Sequence, residues 1–556
     1  MSRFSPRAWF RSGAPGVWLS AGAVSVAVVM TLGLLLLIAV KGLGHFWPAG
    51  LLQATYQVPG QAPVALVGEV VEQERSPRQR LRDAGLPLSA EGDLWVTRML
   101  VKFGNRDLNG TDFNWIVEPW LTEPHYPADL VTLERQEWGN FYGRVIALKQ
   151  AGTVVAEGPA AWPALQPRLA RAAALAAELE HLQTVEVAGI NHDLERLRLA
   201  QRKQALEDPQ YGSAEADIAA ESGVLKARFG ELEAKAENLR QQAARDTVVV
   251  ADASGRQVEL YLSDILHAYQ PNAMNVAQKA AVYFARLWEF LSTNPRESNT
   301  EGGVFPAIFG TVMMTLLMAV VVTPFGVLAA VYLREYARQG WMTRIIRIAV
   351  NNLAGVPAIV YGVFGLGFFV YVLGGSLDRL FFPERLPAPT LGTPGLLWAS
   401  LTLALLSVPV VIVATEEGLA RIPRSLREGS LALGATQAET LWKIVLPMAS
   451  PAIMTGVILA VARAAGEVAP LMLVGVVKLA PSLPVDGNFP YVHLDQKIMH
   501  LGFHIYDVGF QSPNVEAARP LVYATALLLV AVIGLLNLSA VAMRNRLREK
   551  YSGLDT

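Results

Sequence analysis

Six long apolar runs restrict this chain to a small set of architectures. They are Trp18–Val40, Val304–Leu333, Ile348–Leu373, Gly395–Thr415, Ala452–Val477 and Leu521–Val541. At 1.5 Å rise per residue, each can cross a hydrocarbon layer of about 30 Å as a helix. Backbone N–H and C=O groups find no water in that layer, so each run must satisfy its own as a helix. Charged residues make up only 17% of the chain, against about 25% in soluble domains.

Basic residues orient the spans. Arg3, Arg7 and Arg11 precede the first run, and Arg334, Arg338, Arg344 and Arg347 follow the second against one acid, Glu335. Arg421, Arg424, Arg427 and Lys443 follow the fourth, and Arg544, Arg546, Arg548 and Lys550 follow the sixth. With six spans all four groups fall on one side, which the positive-inside rule makes cytoplasmic. The first run exceeds an ordinary signal-peptide core and has no clear small-x-small site after it, so it is expected to be retained. The expected order is a cytoplasmic N-terminus (1–17), a first span (18–40), an extracytoplasmic domain (41–303), a membrane core (304–541) and a cytoplasmic tail (542–556).

The loop 416–451 between the fourth and fifth spans carries the most local information. Ser425 with Glu428, and Thr436 with Glu439, have capping-box spacing. Gly434 stands where a C′ glycine would end the first helix, and Pro447 where a proline would stop the second. Leu441, Trp442, Ile444 and Val445 give the second helix an apolar side. The expectation is two short helices around a glycine hinge, suited to docking in a partner's groove.

The fifth run holds Arg463 and Glu467 in the string ARAAGEVAP. Each ion costs roughly 2.5–3.5 kcal/mol at the centre of a membrane helix. Four residues apart, they should share one helix face with Gly456, Ala460 and Gly466 nearby. Two readings remain. The pair locks helices together, or Arg463 attracts an oxyanion while Glu467 holds and releases it. A guanidinium suits a phosphate-like anion because its planar fork donates two parallel hydrogen bonds.

Segment 41–303 has no further spanning run. Leu94–Phe103, Val145–Leu148, Thr153–Val155, Thr247–Ala251 and Arg256–Leu262 read as strands, with Asn109-Gly110, Ala151-Gly152 and Ser254-Gly255 as turns. Trp95, Trp115, Trp120 and Trp138 are expected to fill its core. Residues 165–245 change to Ala, Leu, Glu, Arg and Gln at three- and four-residue steps, broken by Asp208-Pro209 and Gly212-Ser213. That pattern predicts a helical hairpin, a coiled-coil arm inserted in a β-rich domain. Cysteine is absent, which excludes disulfides, thiolate nucleophiles and cysteine-ligated metals. His500 and His504 stand four apart near Asp495 and Asp507, and a polar loop explains them better than a metal site. No G-x-x-x-x-G-K-[ST] occurs, so the chain is expected to be non-catalytic, with ATP hydrolysed by a partner.

Glu428, Gly434, Ile444, Leu446 and Pro447 resemble the coupling-loop motif of ABC-importer permeases, departing from it only at Gly429-Ser430, where the motif has Ala-Ala. NNLAGVPAIVYGVFGLGFF (351–369), TEEGLARIPRSLREGSLALGAT and RAAGEVAPLMLVG (463–475) are similar to PstA-type permeases of bacterial phosphate-specific ABC transporters. GNRDLNGTDFNW and SDILHAYQPN resemble the long forms, with a large domain between the first two spans. The resemblance implies an α-helical polytopic protein of the inner membrane with a type I permease core. It also implies a second permease of PstC type, a PstB-type ATPase dimer, a PstS-type binding protein and phosphate as substrate, with no cofactor and no metal. Arg463 and Glu467 fall where the family has charged residues implicated in translocation. A permease for sulfate or molybdate stays open, as does a membrane-anchored scaffold or sensor built around the arm.

Overall fold

A computed structural model describes residues 12–89, 92–207, 213–512 and 515–552. Arg3, Arg7, Arg11 and the helix breakers Asp208, Pro209 and Gly212 lie outside them.

Six helices are long and apolar enough to cross a membrane. The first, α1 (Ala14–Gly44), packs by its C-terminal end: a Cβ on Gly42 would lie 2.9 Å from the Tyr523 carbonyl oxygen. After α1 the chain builds two antiparallel sheets. The five-stranded one runs β4-β3-β2-β1-β5, with β1 Leu51–Tyr56, β2 Val64–Pro77, β3 Trp95–Lys102, β4 Phe113–Val117 and β5 Leu121–His125. The second runs β10-β9-β7-β6-β11, with β6 Val131–Arg135, β7 Asn140–Gln150, β9 Asp246–Ala251, β10 Gln257–Tyr261 and β11 Ile265–Tyr269; β8 Thr153–Glu157 pairs with β7. Ala151 (φ 48°) and Gly152 (φ 80°) both take the left-handed conformation that closes the β7–β8 hairpin.

Between β8 and β9 comes the helical insertion, α2 (Ala161–His181), a π turn (Leu182–Val187), α3 (Ala188–Glu207) and α4 (Ser213–Ala243). Its root is apolar: Leu165 and Leu169 of α2 bury against Leu133, Phe141, Leu148, Val248 and Val250. Farther out the helices are solvated and joined by pairs such as Lys235–Glu178 at 3.1 Å.

Two of the strings that point to the long forms act as stitches. Asn105 accepts from the Tyr142 N–H at 2.8 Å and donates to the Tyr142 carbonyl at 3.1 Å. Asn272 does the same for Leu51, at 2.9 Å each way, and also donates to the Pro127 carbonyl. The tryptophans correct the expectation: Trp120 is buried, but Trp95 and Trp138 are exposed and Trp115 carries the Arg98 guanidinium 4.1 Å above its ring. Aliphatic residues with Phe141 and Tyr142 fill most of the core instead.

Helix α5 (Val276–Ser292) returns the chain to the membrane, opened by a capping box between Asn275 and Gln278. Glu289 of α5 accepts from His267 of β11 at 2.9 Å and from Arg296 at 2.9 Å. The hydrogen bond to Glu289 raises the His267 imidazole above its usual 6.5. Burial would raise the Glu289 carboxyl, but its two cationic partners overcome that and bring it down to about 2. The raised histidine stabilises the junction below pH 6.5, and this is lost as pH climbs through its folded value. The lowered carboxyl stabilises above 4.5, and this is lost as pH falls toward about 2. The β11–α5 junction should therefore hold best between pH 4.5 and 6.5. Amide exchange in β11 should quicken as pH rises above that window, after correction for the intrinsic rate. Glu289→Gln should flatten the dependence, and an unchanged profile would show that His267 is not the titrating group.

The membrane core follows: α6 (Phe305–Tyr336), α7 (Trp341–Leu353), α8 (Ala358–Phe381), α9 (Leu396–Arg421), α10 (Arg424–Ala432), α11 (Gln437–Gly466) and α12 (Val515–Ser552). Helix α9 is the most buried and sits between α6 and α11. Small residues let these backbones approach: a Cβ on Gly326 of α6 would lie 2.6 Å from Val411, and one on Gly418 2.3 Å from Ala452.

Two spans differ from expectation. The run 348–373 is divided at residues 354–357, where Pro357 itself is non-helical (φ −56°, ψ 134°). Asn351 and Asn352 therefore end the amphipathic α7 instead of lying within a span, and Pro357 caps α8. The run 452–477 breaks at Gly466, where Glu467 turns extended (φ −79°, ψ 135°). Beyond the break the backbone serves as a partner for its neighbours: Val474 accepts from the Gly395 N–H and Ile498 from the Val477 N–H.

Candidate functional site

The connection from α9 to α11 is built by local chemistry. Helix α9 ends at Arg421 because Ile422 precedes a proline and goes extended. Pro423 is the N-cap of α10, without a side-chain hydrogen bond. Ser425 therefore sits inside the helix, and the expected Ser425–Glu428 capping box does not form. The far end follows a Schellman pattern. Gly434 takes φ 88°, its N–H donates to the Leu431 carbonyl, and the Ala435 N–H donates to the Ser430 carbonyl. The Thr436–Glu439 capping box is complete: Thr436 Oγ1 accepts from the Glu439 N–H at 3.2 Å and Glu439 Oε2 from the Thr436 N–H at 3.0 Å.

Pro447 does not stop the helix that follows. A π turn at Leu441–Val445 precedes it, and the helix continues to Gly466. The wider turn absorbs the carbonyl that a proline leaves without a donor. The tip of the loop and Arg463 thus belong to one helix of 30 residues, about 45 Å long.

Polar contacts join the two loop helices and fix them to the spans. Ser430 and Thr440 share a buried hydrogen bond of 2.8 Å. Arg427 reaches back to Glu335 of α6 at 2.8 Å and to the carbonyls of Leu419 and Ile422 at 2.9 Å each. Arg347 of α7 donates to Glu416 of α9 at 2.6 Å. Sequence reading missed these anchors. The signal was Glu335, one acid in a basic loop. Leu446 packs on Leu419, Ile422, Val445 and Ala449, with Ile444 and Pro447 half-buried beside it. Glu428 and Gly434 are exposed, and so is an apolar tip, with Leu433 91% and Trp442 66% accessible.

Arg427→Ala removes one charge-assisted bond and leaves two carbonyls without a donor. Such a bond is worth about 1.5–3 kcal/mol, taken at its lower end because both side chains are about one-fifth exposed. Under the coupling role that the resemblance implies, ATPase activity of the assembled complex should fall about tenfold, and unchanged activity would assign Arg427 to packing alone.

At the far end of α11, Arg463 Nε donates to Glu467 Oε1 at 3.2 Å. Arg463 is in the last helical turn and Glu467 is beyond it, so the pair forms across a helix end and not on one helical face. Both are partly exposed, at 32% and 21%. Among the described residues the guanidinium has no other hydrogen-bond partner, which leaves its terminal nitrogens free. Gly456 and Ala460 are buried in the helix packing, whereas Gly466 is exposed.

A cavity of about 300 Å³ lies among α6, α7 and α9, lined by Arg334, Arg347, Asn351, Glu416 and Glu417. His500 and His504 lie between the fifth and sixth spans, as the polar-loop expectation has it, and are buried beside Asp507. Burial brings both imidazoles down to about 4 and so keeps them neutral. Asp507 accepts from Lys478 at 3.2 Å and from Asn299 at 3.1 Å. Among the described residues, only Glu134, His267 and Glu289 converge as metal ligands could, and their charges are met by Arg286 and Arg296.

Residues 322–552 match the family model described as binding-protein-dependent transport system inner membrane component. The probable ABC transporter permease protein YqgH of Bacillus subtilis is 34% identical over 203 residues, 36% of this chain and 62% of that protein. The phosphate transport system permease protein PstA 1 of Mycobacterium tuberculosis is 36% identical over 248 residues, 44% of this chain and 71% of that protein. PstA of Mycobacterium leprae is 35% identical over 254 residues, 45% of this chain and 74% of that protein. With an exposed two-helix loop on a six-helix core and this extent of identity, the chain belongs to the PstA family of phosphate transport system permease proteins.

Proposed function

We propose that the chain is one of two membrane subunits of an ATP-driven phosphate importer. It works with a second, PstC-like permease, a PstB-like ATPase dimer and a PstS-like phosphate-binding protein. The observation that carries this reading is the exposed apolar tip, Leu433 and Trp442, on a two-helix loop anchored by Arg427 and continuous with the helix of Arg463. Motion of a docked ATPase enters at that tip, passes along α11 and reorients the Arg463–Glu467 end, which gives alternating access. Released phosphate is held by the free nitrogens of Arg463, with Glu467 as the competing anion that takes the guanidinium back.

Contacts as well as charge support the orientation. The coupling loop is basic and lies on the cytoplasmic side. The 41–303 segment touches the opposite ends of the spans, through α3 against Pro383–Arg385 and Asn299 against Lys478 and Asp507. These contacts support a periplasmic outer domain with both termini cytoplasmic.

The chain is free of cysteine, so Leu433→Cys introduces a single reactive thiol. In membranes holding the assembled complex, a thiol-specific photocrosslinker at this site should capture the ATPase subunit. ATP should change the yield. Capture of lipid alone would remove the coupling role.

A further inference from the structure

Helix α5 presents three faces, and one of them has no partner among the described residues. The first face packs on the outer ends of two spans. Phe290 lies 5.1 Å from Phe46 at the end of α1, Tyr283 lies 6.1 Å from Trp47, and Phe290, Leu287 and Leu291 join Val304 and Ala307 at the start of α6. The second face is ionic and ties α5 to the six-stranded sheet, through Arg286 to Glu134 and Glu289 to His267. The third consists of Ala277, Ala281, Phe284, Ala285 and Trp288, all exposed. At 100° per residue these five fall within an arc of about 100° that contains no charge.

We propose that α5 lies flat in the outer boundary of the bilayer, with the Ala277–Trp288 face in the acyl region. Three observations select lipid as the occupant. The helix sits where α1 and α6 emerge, so its depth is that of the span ends. Lys279, Arg286 and Glu289 keep it from crossing, whereas its apolar stripe with Phe284 and Trp288 suits an interfacial helix. The stripe also continues the apolar surface of α1, whose residues are exposed along the helix, with Trp47 itself 41% accessible. The outer domain would then be fixed to the membrane surface by the same helix that clamps its sheet. The proposal rests on the six-span reading.

The test uses the assembled complex in nanodiscs and single cysteines, each carrying a spin label. Ala281→Cys and Phe284→Cys report the stripe, Val24→Cys reports the middle of α1, and Gln242→Cys reports the solvated arm. Collision with oxygen and with a water-soluble nickel chelate is measured at each. The expected result is an oxygen-to-nickel ratio at 281 and 284 severalfold above that at 242 and on the side of 24. Ratios like that at 242 would overturn the proposal in favour of a water-facing helix. Shielding from both agents would overturn it in favour of a protein partner. A water-like ratio at 24 would instead overturn the spanning reading itself.

Discussion

Replacing Arg463 with Gln should lower ATP-driven uptake about 100-fold while the complex still assembles and still hydrolyses ATP in response to its binding protein. The guanidinium gives one hydrogen bond to Glu467 and has no further partner among the described residues. A tetrahedral oxyanion can take the free nitrogens in two parallel bonds. Charge-assisted bonds are worth about 1.5–3 kcal/mol each, so a pair gives roughly 3–6 kcal/mol. With the side chain 32% exposed, the lower end applies, and every 1.4 kcal/mol is about tenfold. Arg463→Lys keeps the charge without the fork, so it should fall between the two. Glu467→Gln removes the competing anion. It should slow release, lowering the maximal rate more than the apparent affinity. Uptake by Arg463→Gln within twofold of the wild type would leave the pair as a local tie across the end of α11.

Gly434→Pro should abolish coupling. Gly434 sits at φ 88°, whereas a proline ring holds φ near −65°. The N–H that closes α10 onto the Leu431 carbonyl would also be lost. The cost of forcing proline into this turn, about 3 kcal/mol or more, exceeds what the short α10 can offset, so the hinge should unravel. Uptake should drop more than tenfold, with residual hydrolysis no longer responsive to binding protein. Gly434→Ala is the control. A Cβ there meets nothing within 4 Å, so only the left-handed backbone cost of roughly 1–2 kcal/mol applies, and partial coupling should survive. Equal coupling in the proline variant and the wild type would mean that motion does not pass through this turn.

Which features were legible in the sequence has a physical reason. Thr436, Glu439 and Gly434 act on neighbours a few residues away, so their roles could be read from spacing. The Ala151-Gly152 turn is legible for the same reason. Ser425 was misread because Pro423, two residues earlier, had already set where the helix begins. Pro447 was misread because the π turn that accommodates it leaves no mark in composition. The chemistry of Arg463 and Glu467 was legible, but their geometry was not, since the break at Gly466 is fixed by what the following loop binds. Burial of His500 and His504, and exposure of Trp95 and Trp138, depend on contacts distant in sequence. The anchors Arg427–Glu335 and Arg347–Glu416 bridge 92 and 69 residues, so no local pattern announces them.

The most direct measurement of the central claim is radiolabelled uptake into vesicles that hold this chain with its second permease and ATPase, supplied with binding protein and ATP. Phosphate uptake that depends on ATP and is not competed by sulfate is the expected result. Sulfate uptake would move the substrate to another oxyanion, and transport of neither from a fully assembled complex would contradict the importer reading.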